Sequence, residues 1–334
     1  MTTQRVFLIE YLSASALDRR DGAAAELRAE GLAMREALRD DLAAMPNVAL
    51  SVATDRADDP FDADDTSPTH RVCALPGEAL SDFVARQSPL HDLVWVVAPE
   101  TGGLLAALHE AVPSHRWIGC DGRAIRLASS KQATLARLLA HGIKTPLDFA
   151  AGVAVRHWVV KPDDGAGSVR TRRHGDRSSA QADRQQREQR GETTSLEPWV
   201  DGDAMSLSLL VRGDGVDLLA VNRQRLAINA GGAVSLSAVD IAVTDIDAVQ
   251  HAALEQTARA VCAAIPGLGG FVGIDLVWHA EHGPVVIEVN PRVTSAYVGM
   301  SAALGRNLAA DILAAHTPAP FVNTATDAHA HTTA

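Results

Sequence analysis

The chain has 334 residues, 47% of them hydrophobic, with a formal charge of -11 and a pI near 5.6. That length and apolar content suffice for a sizeable core divided over roughly two or three domains, while the acidic balance argues against the basic face by which nucleic-acid binders neutralise phosphates. No apolar run reaches the roughly 18 residues needed to cross a bilayer, so the expected partners are small molecules, with neither nucleic acid nor membrane among them.

The start, Met1 to Glu10, lacks a basic segment followed by a cleavable apolar stretch, and a cytoplasmic protein is expected. Cys73, Cys120 and Cys262 are odd in number, far apart and never in a C-x-x-C pair. They read as buried free thiols rather than a disulfide framework or zinc knuckle.

Val6-Phe7-Leu8-Ile9 is a short apolar run that predicts a buried strand. From Ala23 to Leu42 the apolar positions Leu27, Met34, Leu38 and Leu42 recur at helical spacing, with most charges elsewhere, which predicts an amphipathic helix over a sheet. Val48 to Ala53 and Leu93 to Ala98 read as further strands, and the acidic stretch Asp55 to Asp65 as a solvated loop. Strand-helix alternation implies an open α/β domain. Pro99-Glu100-Thr101-Gly102-Gly103 then joins a strand to an apolar helix over Leu104 to Leu108, where α/β loops often meet ligands, but a helix cap at Thr101 explains it as well.

A second region starts near Trp117 and holds Ser129-Ser130-Lys131, a helix over Thr134 to Ala140, and a stop at Gly142 and Pro146. Trp158-Val159-Val160-Lys161-Pro162 is an apolar strand ending in a lysine, followed by a small-residue loop that includes Gly165, Gly167 and Ser168. Backbone N–H groups of such a loop can approach phosphate oxygens without side-chain obstruction, and the lysine adds a compact positive charge. A plain turn is the competing reading. Gly175 to Glu192 is almost free of apolar residues and is expected to be a mobile lid excursion.

Leu196 to Asp203, Met205 to Val211 and Leu218 to Val221 alternate with turn residues as an antiparallel set would, and the last strand ends in Asn222-Arg223-Gln224-Arg225. Asn229 with Gly231-Gly232 reads either as a close approach to substrate or as a turn needing positive φ. A helix from about Ala248 to Ile265 leads to two final strands, Phe271 to Trp278 and Val285 to Asn290. Asp275 lies inside the first. Glu288 and Asn290 are two apart on the second, so their side chains share a face and can share an ion. Magnesium prefers such hard oxygen donors together with phosphates; pairing of one acid with Arg292 is the alternative. The histidines, including His251, His279, His282 and His316, show no paired ligand spacing and receive no role. The expected division is 1–116, 117–196 and 197–316, with a disordered tail 317–334.

The ordered set Lys131, Lys161 with its glycine loop, Glu197 to Val200, Asp275 and Glu288-x-Asn290-Pro291-Arg292 resembles the ATP-grasp superfamily over roughly residues 117–316. The resemblance implies an α/β (α+β) ATP-grasp fold: an open α/β pre-grasp domain, a small lid subdomain and an antiparallel catalytic subdomain. It also implies ATP held at its phosphates by Lys131 and Lys161. Glu197 and Val200 would line the adenine edge, with Asp203 at the ribose. Asp275, Glu288 and Asn290 would hold two magnesium ions, manganese being an alternative. Arg292 would stabilise developing charge, and Arg223 would hold a substrate carboxylate or lie at an exposed strand end.

Glu10-Tyr11, Glu30-Gly31, Ala98-Pro99-Glu100, Ile118-Gly119-Cys120, Val221 to Gln224 and Gly273-Ile274-Asp275 further resemble the tyramine-glutamate ligases of methanofuran biosynthesis, over nearly the whole chain. The departures are Asp163 to Arg173 and Gly175 to Glu192, both longer than expected. The implied partners are glutamate and tyramine, joined through an acyl phosphate, and a homodimer is compatible with the sequence. A ligase for another acid and amine, a phosphotransferase without amine acceptor, and a nucleotide-binding protein without turnover are the competing readings. Walker-type and protein-kinase signatures are absent from the sequence.

Overall fold

The computed structural model describes residues 3–14, 22–55, 69–150, 155–165, 167–213 and 215–316. Most of the expected acidic loop and the tail 317–334 lie outside the described residues. In chain order the elements are β1 (Gln4–Glu10), α1 (Tyr11–Ala14), α2 (Gly22–Ala43), β2 (Val48–Ala53), β3 (His70–Val72), α3 (Leu80–Gln87), β4 (Leu93–Val97), α4 (Leu104–Glu110), β5 (Trp117–Ile118), α5 (Gly122–Ala128) and α6 (Lys131–Ala140). There follow β6 (Trp158–Pro162), β7 (Arg172–His174), α7 (Arg177–Glu188), β8 (Thr194–Pro198), β9 (Asp203–Arg212), β10 (Gly215–Ile228), β11 (Val234–Asp240), α8 (Ala248–Ala264), β12 (Gly270–His279), β13 (Gly283–Asn290), α9 (Met300–Leu304) and α10 (Leu308–His316).

The first sheet is parallel, in the order β3-β2-β1-β4-β5. β1 lies at its centre and is buried on both faces, which is why it reads as a continuous apolar run. Val6 and Leu8 pack in one cluster with Met34, Leu38 and Leu42 of α2, whereas Phe7 and Ile9 pack in another with Phe83, Leu105 and Leu108. The chain runs outward from β1 to β2 and β3, then returns to β4 on the other side. The carboxyl ends of β1 and β4 thus flank a topological switch point, where α/β sheets open a crevice.

The second large sheet is antiparallel, in the order β11-β10-β9-β12-β13. Leu207, Leu209 and Val211 of β9 share a cluster with Leu254, Ala258 and Val261 of α8, while Leu210 joins Phe271, Leu308 and Ile312 in the other. A small antiparallel sheet, β7-β6-β8, stands apart and packs Trp158 and Val160 on Ala180 of α7.

Three expectations are corrected. The stretch 175–192 is not a structureless excursion, because it forms α7. Asp176 caps that helix at the Ser179 N–H, Arg187 pairs with Asp183 and donates to the Arg170 carbonyl, His174 meets Asp183 at 3.0 Å, and Arg177 lies over the Trp158 ring. Paired polar groups, rather than an apolar stripe, give it a docked face. Thr101 caps no helix: it opens a 3-10 turn through Gly103, and α4 starts from Gly103 in the left-handed region. Neither expected boundary follows the sheets: that at 116/117 parts β5, which starts at 117, from the first sheet to which it belongs, and that at 196/197 cuts β8, which spans 194–198 and belongs wholly to the small one.

The β10–β11 hairpin ties the small sheet to the large one. The Asn229 carboxamide oxygen accepts from the Gly231 and Ala233 N–H groups, and the turn then lies against β7, with the Arg173 N–H donating to the Gly232 carbonyl at 2.8 Å and the Val234 N–H to the Thr171 carbonyl at 2.9 Å. Gly232 has φ +81°, and a Cβ there would stand 2.2 Å from the Arg173 carbonyl oxygen. Gly231 has no positive φ, and its nearest neighbour on adding a Cβ is at 3.4 Å. Gly232→Ala is therefore expected to cost more than about 1 kcal/mol and to lower the thermal midpoint measurably, whereas Gly231→Ala leaves the midpoint nearly unchanged; scanning calorimetry of the pair checks this.

Candidate active site

A cleft of about 550 Å³ opens where the three sheets meet. From the sequence-derived set it gathers Lys131, Lys161, Gly165, Gly167, Ser168, Glu197, Val200, Asp275, Glu288, Asn290 and Arg292, and it leaves out Asp203 and Arg223. The reason for both omissions is strand alternation. Ala204 and Ser206 face the cleft from β9, so Asp203 faces away and is exposed; Gln224 faces it from β10, so Arg223 turns outward into a bidentate pair with Asp245 at 3.0 and 3.2 Å.

The centre of the cleft is a confrontation of like charges. On the β12–β13 pair Asp275 stands directly opposite Glu288, so both acids emerge on the same face, the cleft side. Burial first, and the neighbouring Glu288 second, push the Asp275 carboxyl up to about 6. Its oxygens accept from the Gln224 amide at 2.8 Å and the Asn290 amide at 3.0 Å, which oppose that rise.

Three ion pairs, buried or partly buried, lie at and around these acids. Lys131, the first residue of α6, reaches Glu288 at 3.0 Å and donates to the Gly165 carbonyl at 2.9 Å. Burial pulls its ammonium down, but Glu288, with Glu100 and Glu197, outweighs burial and holds its pKa above the ordinary lysine value. Lys161 meets Glu197 at 3.1 Å between adjacent strands β6 and β8, both side chains less than a tenth exposed, and the Ser195 hydroxyl donates to the same carboxylate at 2.7 Å. Arg292, just beyond β13, forms a two-pronged pair with Glu100 at 2.9 and 3.0 Å. Burial would lower the Arg292 pKa, yet Glu100, Glu288 and Asp275 raise it. The fork geometry makes this the strongest type of charged contact.

The glycine loop is held over these groups from two sides. Asp163 accepts from the Ser130 hydroxyl at 2.7 Å and the Gln132 N–H at 2.8 Å, which ties the loop to the start of α6. Asp164 accepts from the Gly102 N–H at 2.7 Å, which ties it to the first domain. Gly165 and Gly167 have φ +134° and +70°, a region that L side chains rarely adopt, and a Cβ on Gly167 would meet the Leu27 side chain at 3.0 Å.

Glu100 and Gln224 are site residues that the sequence did not single out for a role. Glu100 lies 192 residues from its partner, and nothing local announces that contact. Gln224 could have been found by alternation, since a cleft-facing Gln224 excludes a cleft-facing Arg223.

Two carboxylates and one amide form a donor set suited to a hard cation that also takes phosphate oxygens. Among the described residues no group of three or more His, Cys, Asp or Glu gathers as a metal site, so phosphate oxygens or water would have to complete the shell. The residues fit: Lys131 is the one cation in direct contact with the facing acids among the described residues, and Asp275 is met only by amides.

The family model for the ATP-grasp domain matches residues 128–296, and that for the pre ATP-grasp 3 domain matches 48–125. The chain belongs to the ATP-grasp family. No curated protein sequence matches it. Among solved structures, an Archaeoglobus fulgidus protein described as of the ATP-grasp superfamily shares 20% identity and a TM-score of 0.67, over 93% of this chain and 88% of that one. The L-amino acid ligase from Bacillus licheniformis shares 18% identity and a TM-score of 0.63, over 94% and 74%. The D-alanine–D-alanine ligase from Bacillus anthracis, complexed with ATP, shares 14% identity and a TM-score of 0.61, over 93% and 96%. At these identities the likeness is one of fold.

Breaking a buried pair from one side leaves a charge without compensation, which costs about 3–5 kcal/mol. Lys161→Met or Glu197→Leu alone should therefore lower the thermal midpoint of the nucleotide-free protein strongly, and the double variant should recover much of the loss; a midpoint for the double variant equal to the sum of the two losses would show that the pair is not coupled.

Proposed function

We propose that the chain is an ATP-dependent ligase that joins a carboxylate to a primary amine through an acyl phosphate. The observation that carries this reading is the gathering in one cleft of Lys131, Lys161 and Arg292, paired with Glu288, Glu197 and Glu100, beside the facing acids Asp275 and Glu288. Phosphoryl transfer depends on positioning and charge neutralisation more than on covalent help from the protein, and this cleft offers mainly fixed charge.

In this reading Lys131 and Lys161 exchange Glu288 and Glu197 for phosphate oxygens, and the glycine loop covers the phosphates with backbone N–H groups. The strand end from Glu197 to Val200 offers backbone groups to the adenine edge. A substrate carboxylate oxygen attacks the γ-phosphorus and ADP departs. The amine nitrogen then attacks the acyl carbon, inorganic phosphate leaves, and the nitrogen gives up a proton. Arg292, oriented by Glu100, stabilises the negative charge that develops on the acyl oxygen and cannot lose its own charge by titration. Asp275, Glu288 and Asn290 would hold magnesium, which would supply positive charge against the transferring phosphate. Arg223 keeps its pair with Asp245, and neither it nor Asp203 has a role in this scheme.

L-Glutamate and tyramine are the proposed substrates. This pairing rests on the resemblance carried by Glu10-Tyr11, Glu30-Gly31 and Val221 to Gln224; the first two of these segments line the cleft. The L-amino acid and D-alanine ligases with this fold support the wider class, an amino acid activated at its carboxylate.

With ATP, magnesium and glutamate, ADP release is expected to depend on tyramine and to accompany a glutamyltyramine mass, and Arg292→Ala should lower kcat by about a hundredfold or more. ADP release without amine, together with a phosphorylated product, would instead show a phosphotransferase. Arg223→Ala should leave the KM for the acid unchanged.

The raised Asp275 carboxyl adds a pH dependence. Its ordinary value is 3.8 and its value in the fold is about 6, so ionisation is disfavoured in the metal-free protein. No penalty exists where the group is protonated in both folded and unfolded chains; the penalty grows above the ordinary value and is complete above about 6. Magnesium should therefore raise the thermal midpoint more at about pH 7.5 than at about pH 5, and Asp275→Asn should abolish that difference.

A further inference from the structure

The polar centre of the cleft adjoins an apolar end that phosphoryl transfer does not require. One wall is the face of α2 that carries Leu27, Gly31 and Met34, spaced by four and three residues and so on one side of the helix. The facing wall is the β10–β11 hairpin. Its register shifts between Arg225 and Leu226, so that Leu226 pairs with Leu236 while Gln224 pairs with Val239. Without that shift Val239 and Leu236 would point to opposite faces; with it both join Leu226 and Val234 on the cleft side. The two walls meet where Val239 and Ala296 pack with the cluster containing Met34. Leu226 is 38% exposed, although its outlook is into the cleft.

The charged groups of the α2 wall that line the cleft are the carboxylates Glu10 and Glu30; Arg35 of α2 acts electrostatically on Glu10 but does not line the cleft. Glu10 is almost wholly buried, and burial raises its pKa against the Leu12 and Ser13 N–H groups that its oxygens accept at 3.0 and 2.7 Å. A Cβ at position 31 would lie 2.5 Å from its Oε1, so only glycine lets α2 pass this close to it. Glu30 lines the same end of α2. Arg170, which also lines the cleft, is held by Glu192 at 3.0 Å. Such an end repels a carboxylate and attracts an ammonium ion.

We infer that this end seats the amine substrate and selects a primary amine with an apolar body, aliphatic or aromatic. Leu27, Met34, Leu226 and Leu236 set that preference. The reaction that follows rests on the ligase reading, but the binding preference does not.

The test is calorimetric titration of the full chain, with magnesium and a non-hydrolysable ATP analogue present, using phenethylamine and ethanolamine as probes. Phenethylamine should bind at least about tenfold more tightly, given the hydrocarbon it buries. Leu226→Asn, at a part-exposed position that should not disturb folding, should shrink the ratio severalfold, and Leu236→Asn should shrink it further. Equal affinity for the two amines, or a ratio unaltered in both variants, overturns the inference. A parallel ADP assay with an acid panel separates the two ideas. Selective amine binding with no ADP from any acid removes ligase activity and leaves the subsite standing, whereas ADP formation indifferent to the amine's body keeps the ligase reading and sinks the subsite.

Discussion

Two carboxylates that face each other across a strand pair, in a place too dry for both to ionise freely, set the terms for the rest of this molecule. Asp275 and Glu288 are adjacent because β12 and β13 are paired, and within that pair only the Asn290 amide relieves their repulsion. Further relief comes from elsewhere in the chain: Lys131 at the head of α6, Arg292 past the end of β13, and the amide of Gln224. Buried charge of this kind contributes little net stability and is costly when half broken. Its retention makes better sense as a site prepared for other charged groups.

The same charges join the parts of the molecule to one another. Arg292 and Glu100 link the antiparallel sheet to the carboxyl end of β4, and Lys161 with Glu197 links two strands of the small sheet beneath the glycine loop. Asp163 and Asp164, neighbours in sequence, fasten that loop to two different domains. In the proposed reaction phosphate oxygens take over lysine contacts now made by Glu288 and Glu197. Binding would then replace the contacts of Lys131 with β13 and of Lys161 with β8, while the Arg292–Glu100 pair and the Asp163 and Asp164 ties keep the parts together.

The hairpin β10–β11 has a comparable double part. Its Gly232 turn lies against β7, its Gln224 orients Asp275, and its shifted register aims Leu226, Leu236 and Val239 at the cleft. One irregularity in strand pairing decides whether this hairpin presents an apolar or a mixed surface to substrate.

Much of the fold was legible in the amino-acid sequence because its signals are local. The continuous apolar run of β1, the helical spacing of Leu27 to Leu42, the stop at Gly142 and the Glu288-x-Asn290 alternation each depend only on near neighbours, and each corresponds to an element of the structure. Short strands such as β3 and β5 were missed, since a few residues carry too little pattern, and α7 was misread because polar pairing replaces its apolar stripe. The candidate site divides in the same way. The lysines, the glycine loop and the acid set follow from residue type and order along the chain. Which way Arg223 and Asp203 face depends on strand register, the partner of Arg292 is Glu100 on a distant strand end, and the apolar end of the cleft exists only where α2 meets the hairpin. Residue type and short-range spacing determine what chemistry the chain can supply; long-range packing alone decides which groups are brought within a few ångströms and which are turned away.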